Sequence, residues 1–334
     1  MSSTDAILSE MLLKESSKAF GIKPEDLKLQ AGGFQNSVYS FIRNNREYVL
    51  RLTHSTRRDL NLIKGELDFV NHLSNSGVSV SRAIPSVNDH YAEQISIGQD
   101  TYYATSFEKA KGRPVDVSDD QEWNRDFFQR WGKLLGKMHA TAKKYEAPDL
   151  AIKRPEWSKN NPDIHNIKNH MPSEMIANKY SELLTALTTL DRHDDLFGLI
   201  HNDFHQGNFF VHDSQITVFD FDDSAYYWFA SDIAVSFYHA YWQGTSVHPN
   251  RKDFSEQFMK SFLEGYSKEN NITKEMVSQI PLFLKMREIF LYVLFLRNWD
   301  PNHLQDWQRA TLQNLKFNIE NDVPYSDLDF HKII

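Results

Sequence analysis

The sequence predicts an α+β fold in two lobes: a small N-terminal lobe with an antiparallel sheet, residues 1–108, and a larger, mostly helical C-terminal lobe, residues 109–334. Three observations predict it. The chain has 334 residues, more than one hydrophobic core usually holds. Its first hundred residues read as short strands separated by turn signals. The remainder reads as longer helical patterns, interrupted by one compact strand region.

Within the first lobe, "NSVYSFI" and "REYVLRL" alternate like paired strands across the turn "RNN". Residues 60–76 follow as a helix carrying Leu62, Leu67, Phe69, Val70 and Leu73. "HYAEQISI", the turn "GQD" and "TYYATSF" make a second hairpin. After "KGRP", the segment "EWNRDFFQRWGKLLGKMHATA" places Trp123, Phe127, Trp131, Leu135 and Met138 along one stripe, as a core-facing helix requires. Residues 147–175, rich in Pro, Asn and Lys, read as irregular. "FGLI", "FFVH" and "ITVFDF" then form short strands, the last two joined by a loop read as Asp213 to Gln215.

Composition limits the function classes. With 37 basic and 45 acidic residues the net charge is −8, which offers no general attraction to nucleic acid or to an anionic membrane. Charged partners are expected to be cationic. The absence of cysteine excludes disulfides and thiolate chemistry. The opening "MSSTDAILSE" lacks the basic end and apolar run of a signal peptide, so a cytoplasmic protein is expected. The most apolar segment, "IFLYVLFL", falls far short of the ~20 residues needed to span a bilayer. It also follows Lys285, Arg287 and Glu288, so it reads as a buried helix.

The stretch "LIHNDFHQGNFF" at 199–210 gathers two histidines, an aspartate and two amides between apolar ends. Counting back through a three-residue loop, Asn208 lies opposite Asp220, with Asp203 at the other end of the same segment. Two hard oxygen ligands beside a carboxylate suit Mg²⁺, which takes few protein ligands plus substrate phosphates. The alternative is a turn rich in Asp, Asn and Gly that joins two strands for local reasons. His201, Asp203, Asn208 and Asp220 fill the pattern H-x-D-x-x-x-x-N followed by a metal-binding Asp, as in protein-kinase-like phosphotransferases. Upstream, Gly32 and Gly33 stand at a turn between candidate strands, where a flexible cover over ATP phosphates belongs, although an ordinary hairpin turn fits them equally. Arg51 in "YVLRL" occupies the place of the phosphate-binding lysine, and Glu66 lies on the next helix, as its paired glutamate should.

On "GGFQNSVY", "YVLRL", Glu66, "YYATSFEKAKGRP", "WGKLLGKMHA", "HNDFHQGNFF", "VFDFDD" and "SDIA", the chain resembles the aminoglycoside phosphotransferase family over nearly its whole length. That family includes choline kinase and homoserine kinase relatives with a protein-kinase-like fold. The resemblance implies an ATP- and Mg²⁺-dependent transfer of the γ-phosphate to a hydroxyl of a small molecule. It implies Asp203 as catalytic base, Asn208 and Asp220 as Mg²⁺ ligands and Arg51 as phosphate contact. Ser106, Phe107 and Glu108 would lie near the adenine, and Asp232 would brace the catalytic loop. Three positions depart from the pattern. Asn202 stands where many relatives have Gly, Arg51 replaces a lysine, and "DFDD" replaces D-F-G, so that Asp222 reads either as a second metal ligand or as a turn cap.

Two alternatives belong to other classes: a Ser/Thr protein kinase of the same fold, and a catalytically silent nucleotide-binding protein. Only "FDDSAYYWFAS" separates Asp220 from Asp232, which leaves no room for a peptide-docking activation loop and favours a small-molecule acceptor. The aromatics in "YYWF", "FYHAYW", Trp299 and Trp307 read either as a cage for a quaternary amine or as core, helical spacing favouring core for Phe237, Tyr238, Tyr241 and Trp242. His205 and His212 read as hydrogen-bonding groups. No motif fixes an oligomeric state or an ATP or GTP preference.

Overall fold

The computed structural model describes residues 3–30, 36–161, 167–249 and 251–334. The chain opens with helix α1 (Ser3–Ala19), strands β1 (Lys28–Leu29), β2 (Ser37–Arg43) and β3 (Arg46–His54), and helix α2 (Leu60–Asn75). Strands β4 (Ala83–Ile84), β5 (Ala92–Ile97) and β6 (Asp100–Glu108) follow, then α3 (Arg125–Ala142) and α4 (Glu174–Leu187). A strand region comprises β7 (Phe197–Ile200), β8 (Phe209–His212), β9 (Gln215–Val218) and β10 (Ala225–Trp228). Helices α5 (Phe229–Val247), α6 (Phe254–Tyr266), α7 (Lys274–Asn298) and α8 (Asp306–Glu320) complete the described elements.

Two compact units form: one of residues 1–112, 145–154 and 217–222, the other of 113–144, 155–216 and 223–334. In the first unit the sheet runs β1-β2-β3-β6-β4, with β5 also paired to β6, and every pairing is antiparallel. Alternation along β3 divides its side chains between two faces. Leu50 and Leu52 join Phe41, Ile95, Ile97 and Ala104 in a core that Leu8, Leu12 and Leu13 of α1 pack against. The sequence alone does not predict helix α1. Arg51 falls on the opposite face from Leu50. On α2, Ile63 and Leu67 pack with Ala83 and Tyr103. Asp59 caps α2 by accepting the Leu62 amide at 2.8 Å. A Cβ at Gly65 on α2 would collide with the Ile152 carbonyl, so glycine lets residues 145–154 approach the helix.

All three hairpins turn more tightly than the three residues the sequence suggests. Asn44 and Asn45 have φ 53° and 58°, Asp213 and Ser214 have 46° and 65°, and Gly98 has 63°; two-residue turns of this left-handed kind match the twist of the strands they join. Asp213 and Ser214 alone connect β8 to β9. The predicted ladder pairing of Asn208 with Asp220 therefore fails, and Asn208 sits in a short 3-10 turn, Gln206–Asn208, before β8.

The second unit is built around α3 and α6. Glycine permits their contact, because a Cβ at Gly132 would overlap the Phe262 carbonyl and one at Gly265 the Gln129 carbonyl. Trp123, Phe127, Phe128 and Trp131 of the α3 region are buried together with Phe254, Phe258 and Phe262. The apolar end of α7 buries Ile289, Leu291, Tyr292 and Val293, while Leu296 emerges at 39% exposure. Among the described residues no helix is long and apolar enough to cross a membrane.

Candidate functional site

The segment 201–210 is held by what flanks its polar residues. Phe204 and Phe209 are fully buried and meet the Trp131 ring at 6.1 and 5.0 Å. Asp232 of α5, also fully buried, accepts the amides of His201 at 2.9 Å and Asn202 at 2.7 Å. Asn202 has φ 69°, a left-handed conformation that Asn tolerates better than most residues, and its side chain donates to the Asp223 carbonyl. Ser236 donates to the Phe204 carbonyl at 2.7 Å. Behind Asp232 stands buried His139, 3.2 Å away, whose other ring nitrogen meets the Tyr266 hydroxyl at 2.8 Å. Burial pulls the His139 pKa down against the pull of Asp232, so the ring is neutral and donates to the carboxylate.

Asp203 is consequently delivered between fixed partners. Its Oδ1 accepts from Arg287 Nη2 of α7 at 2.6 Å, and its Oδ2 accepts from Asn208 Nδ2 at 3.0 Å. Asn208 also donates to the Asp203 carbonyl, so its amide hydrogens are committed and its own oxygen takes no hydrogen bond among the described residues. His205 Nε2 lies 3.5 Å from Asp203 Oδ2, while its Nδ1 accepts from the Gly207 amide. His239 of α5 stacks on His205 with centroids 4.2 Å apart, and its Nε2 lies 2.7 Å from Arg287 Nη2. Burial would raise the pKa of Asp203, but Arg287 first and His205 after it hold it well below the usual carboxylate range. Burial, His205 and Arg287 together push the His239 pKa far down, so that ring is neutral.

The first unit carries a second set. Arg51 and Glu66, 5% and 1% exposed, form a two-pronged pair with Nη1–Oε1 at 2.8 Å and Nη2–Oε2 at 2.6 Å. Arg51 Nη1 also lies 4.0 Å from Asp220 Oδ1. Burial works against the Arg51 charge, yet Glu66, Asp222 and Asp220 more than offset it and raise its pKa. Asp220 adopts φ 67° and its side chain is 52% exposed. Asp222 is buried instead, pairing with Arg57 and Arg58, while its backbone oxygen accepts from Arg154 at 2.7 Å. Burial raises its pKa, but Arg51, Arg58, Arg57 and Arg154 bring it down to about 2. Asp222 therefore serves as an anchor for arginines.

Ser106, Phe107 and Glu108 end β6, opposite Leu50, Val49 and Tyr48. Ser106 is buried and donates to the Val49 carbonyl, the Arg51 guanidinium lies over the Phe107 ring at 5.1 Å, and Glu108 is exposed. Gly32 and Gly33 lie outside the described residues. His212 lies 3.3 Å from Asp213 on the exposed hairpin turn and joins neither set. Sequence reasoning missed Arg287 and His239. The available signal was charge inside an otherwise core-facing α7, since a buried cation demands an anionic partner.

The chain is similar to known phosphotransferases. The family model described as "Phosphotransferase enzyme family" matches residues 26–271. Amicoumacin kinase of Bacillus subtilis (strain 168) is 31% identical over 328 residues, covering 97% of this chain and 96% of the relative. The solved structure of amicoumacin kinase hAmiN in complex with AMP-PNP, Ca²⁺ and Ami superposes with a TM-score of 0.90 at 31% identity, covering all of both chains. The choline kinase LicA from Streptococcus pneumoniae shares the fold, with a TM-score of 0.60 at 15% identity over 94% of this chain and 99% of that one. The matched residues span most of the sequence and the relative aligns almost end to end, so the chain belongs to the phosphotransferase enzyme family and is a phosphotransferase with the protein-kinase-like fold.

Proposed function

We propose that this protein transfers the γ-phosphate of ATP to a hydroxyl of a small molecule, with Asp203 as the base. The observation that carries the reading is the Asp203 carboxylate, held ionised and oriented by Arg287 on one oxygen and Asn208 on the other. A carboxylate has about four lone-pair sites, so an acceptor hydroxyl can still bond to it. Asp203 orients that hydroxyl and takes its proton as the new oxygen–phosphorus bond forms and the bond to the ADP oxygen breaks. Because phosphoryl transfer asks mainly for alignment and charge stabilisation, a fixed carboxylate of low pKa is suited to the task.

Asn208 and Asp220 would hold the divalent ion. Their chemistry fits: the Asn208 oxygen is turned away from its hydrogen-bonded amide, and the left-handed backbone at Asp220 goes with an exposed carboxylate. When bound, the ion neutralises charge on the transferring phosphate. Arg51, fixed by Glu66, would contact the phosphates, and Ser106 to Glu108 would lie near the adenine. The likeness to a kinase solved with AMP-PNP and Ca²⁺ supports ATP and a divalent ion as reactants.

The likeness to amicoumacin kinase makes amicoumacin the first acceptor to test, alongside amino alcohols, amino sugars, sugars and homoserine-like metabolites. β10 and the start of α5 follow Asp222 almost at once, which argues against a protein acceptor. Purified protein with Mg·ATP should consume at least one such metabolite above background hydrolysis. Phosphorylation of generic protein substrates with no metabolite consumed would establish the protein-kinase reading instead.

A further inference from the structure

The Arg287 guanidinium is committed on one edge and uncommitted on the other. Its Nε donates to His239 Nε2 at 3.2 Å, and its Nη2 donates to Asp203 Oδ1 at 2.6 Å and lies 2.7 Å from the same His239 nitrogen. Arginine can only donate, so that nitrogen is the acceptor of the His239 ring. The guanidinium carbon lies over the Phe290 ring, 5.2 Å from its centroid. Nη1, with two hydrogens, has no hydrogen-bond partner among the described residues, although the side chain is only 9% exposed. Donors on a mostly buried cation are costly to leave unmatched, so this edge is a place for an incoming oxygen.

The two oxygens of Asp203 are loaded unequally. Oδ2 accepts from Asn208 Nδ2 at 3.0 Å and has His205 Nε2 at 3.5 Å. His205 Nδ1 accepts from the Gly207 amide, so the proton of that ring sits on Nε2, on the Asp203 side. Among the described residues Oδ1 accepts from Arg287 alone. The lone pair open to a substrate hydroxyl is therefore on Oδ1, the oxygen that Arg287 holds. A hydroxyl seated there lies beside the second prong of the same planar fork, so one small group next to it reaches Nη1. Charge selects that group. Asp203 and Arg287 balance one another and His239 is neutral, so an ammonium would face the Arg287 charge and a carboxylate the Asp203 charge, whereas a carbonyl oxygen meets neither penalty.

We infer that the acceptor carries a neutral carbonyl oxygen beside its reacting hydroxyl, the hydroxyl donating to Asp203 Oδ1 and the carbonyl oxygen accepting from Arg287 Nη1. The inference rests on Asp203 as the base and adds the chemical class of the acceptor, a hydroxy amide or hydroxy ester in preference to a simple amino alcohol. Arg287 then has two tasks, one edge fixing the carboxylate and the other fixing the substrate.

Three probes matched at the hydroxyl test this with the full-length protein. Lactamide puts a carboxamide on the carbon that bears the hydroxyl, methyl isopropyl carbinol puts an apolar group of the same shape there, and isopropanolamine an ammonium. NMR titration without nucleotide should show lactamide binding at least about ten-fold more tightly than either, the worth of one hydrogen bond to a charged group. That preference should fall towards unity in Arg287→Met, and also in Arg287→Lys, which keeps a cation for Asp203 without the planar fork. With Mg·ATP, the ratios of kcat/KM should shrink in the same variants. Equal binding of the three probes, absent binding of all three, or a preference that survives either substitution would overturn the inference. Loss of turnover on all three alike, with the preference intact, would do so too, placing Arg287 on the base or the phosphate only. Carbonyl-dependent binding without phosphorylation would uphold the Arg287 subsite and count against Asp203 as the base. Phosphorylation of all three probes with no preference would do the reverse.

Discussion

Asp203 Oδ1 accepts a 2.6 Å hydrogen bond from Arg287 Nη2, joining residues 84 positions apart. The guanidinium is 9% exposed and also faces the neutral ring of His239. Arg287 thus keeps the carboxylate ionised across any physiological pH.

Asp203→Asn should lower turnover by about two to four orders of magnitude, the usual worth of a positioned acid or base, with Mg·ATP affinity little changed. Steady-state kinetics beside nucleotide calorimetry checks both halves. Near-normal turnover would remove Asp203 from the role.

Arg287→Met should raise the pKa of Asp203 back towards the ordinary carboxylate range, because the strongest cation holding it down is gone. With Asp203 as the proposed base, active as the carboxylate, the acid limb of kcat/KM should move to higher pH. An acid limb that stays in place in the variant would contradict the linkage.

Arg51→Met leaves Glu66 buried at 1% exposure without its partner, which should destabilise the fold by about 3–5 kcal/mol. Adding Glu66→Leu should restore much of that loss. Urea unfolding of the single and double variants measures the difference, and equal losses in the two would show that the unpaired carboxylate is not the cause.

Asp220→Ala and Asn208→Ala should each weaken Mg·ATP binding, through loss of a hard oxygen ligand. Calorimetric titration of nucleotide with and without Mg²⁺ separates this from a general loss of nucleotide affinity. Wild-type affinity in the Asp220 variant would exclude the ligand role.

Asp222 has its pKa lowered to about 2 in the folded chain against 3.8 ordinarily. A depressed carboxylate stabilises the fold above its unfolded pKa, and that stability is lost as pH falls through the folded value. The contribution, on the order of 2 kcal/mol, should therefore be present above about pH 4 and vanish towards pH 2. Asp222→Asn should be less stable than wild type at pH 6, with the gap narrowing across that window; a gap independent of pH would exclude the ionised carboxylate as its source.

Much of this was legible in the sequence because it is written in local periods. Alternation marks β2, β3, β5 and β6, the aromatic stripe marks α3, and the spacing of His201, Asp203 and Asn208 marks the polar segment. The order of Arg51 and Glu66 likewise anticipated the 2.6 Å pair between β3 and α2. Helix α1 and strand β10 are not legible there, since neither carries a strong period of its own and each is defined by what it packs on or pairs with. The turns came out one residue too long, because strand twist decides between turn types and residue identity only permits them.

The sequence by itself determined which residues could do chemistry and roughly where they sit along the chain. Tertiary structure alone decided which of them meet: that Arg287 and His239 converge on Asp203, and that Asp222 is surrounded by Arg57, Arg58 and Arg154 while Asp220 stays exposed. The physical reason is separation along the chain. A helix or strand announces its period within a few residues, whereas a buried charge shows only that some partner must exist, and packing across dozens of intervening residues chooses which.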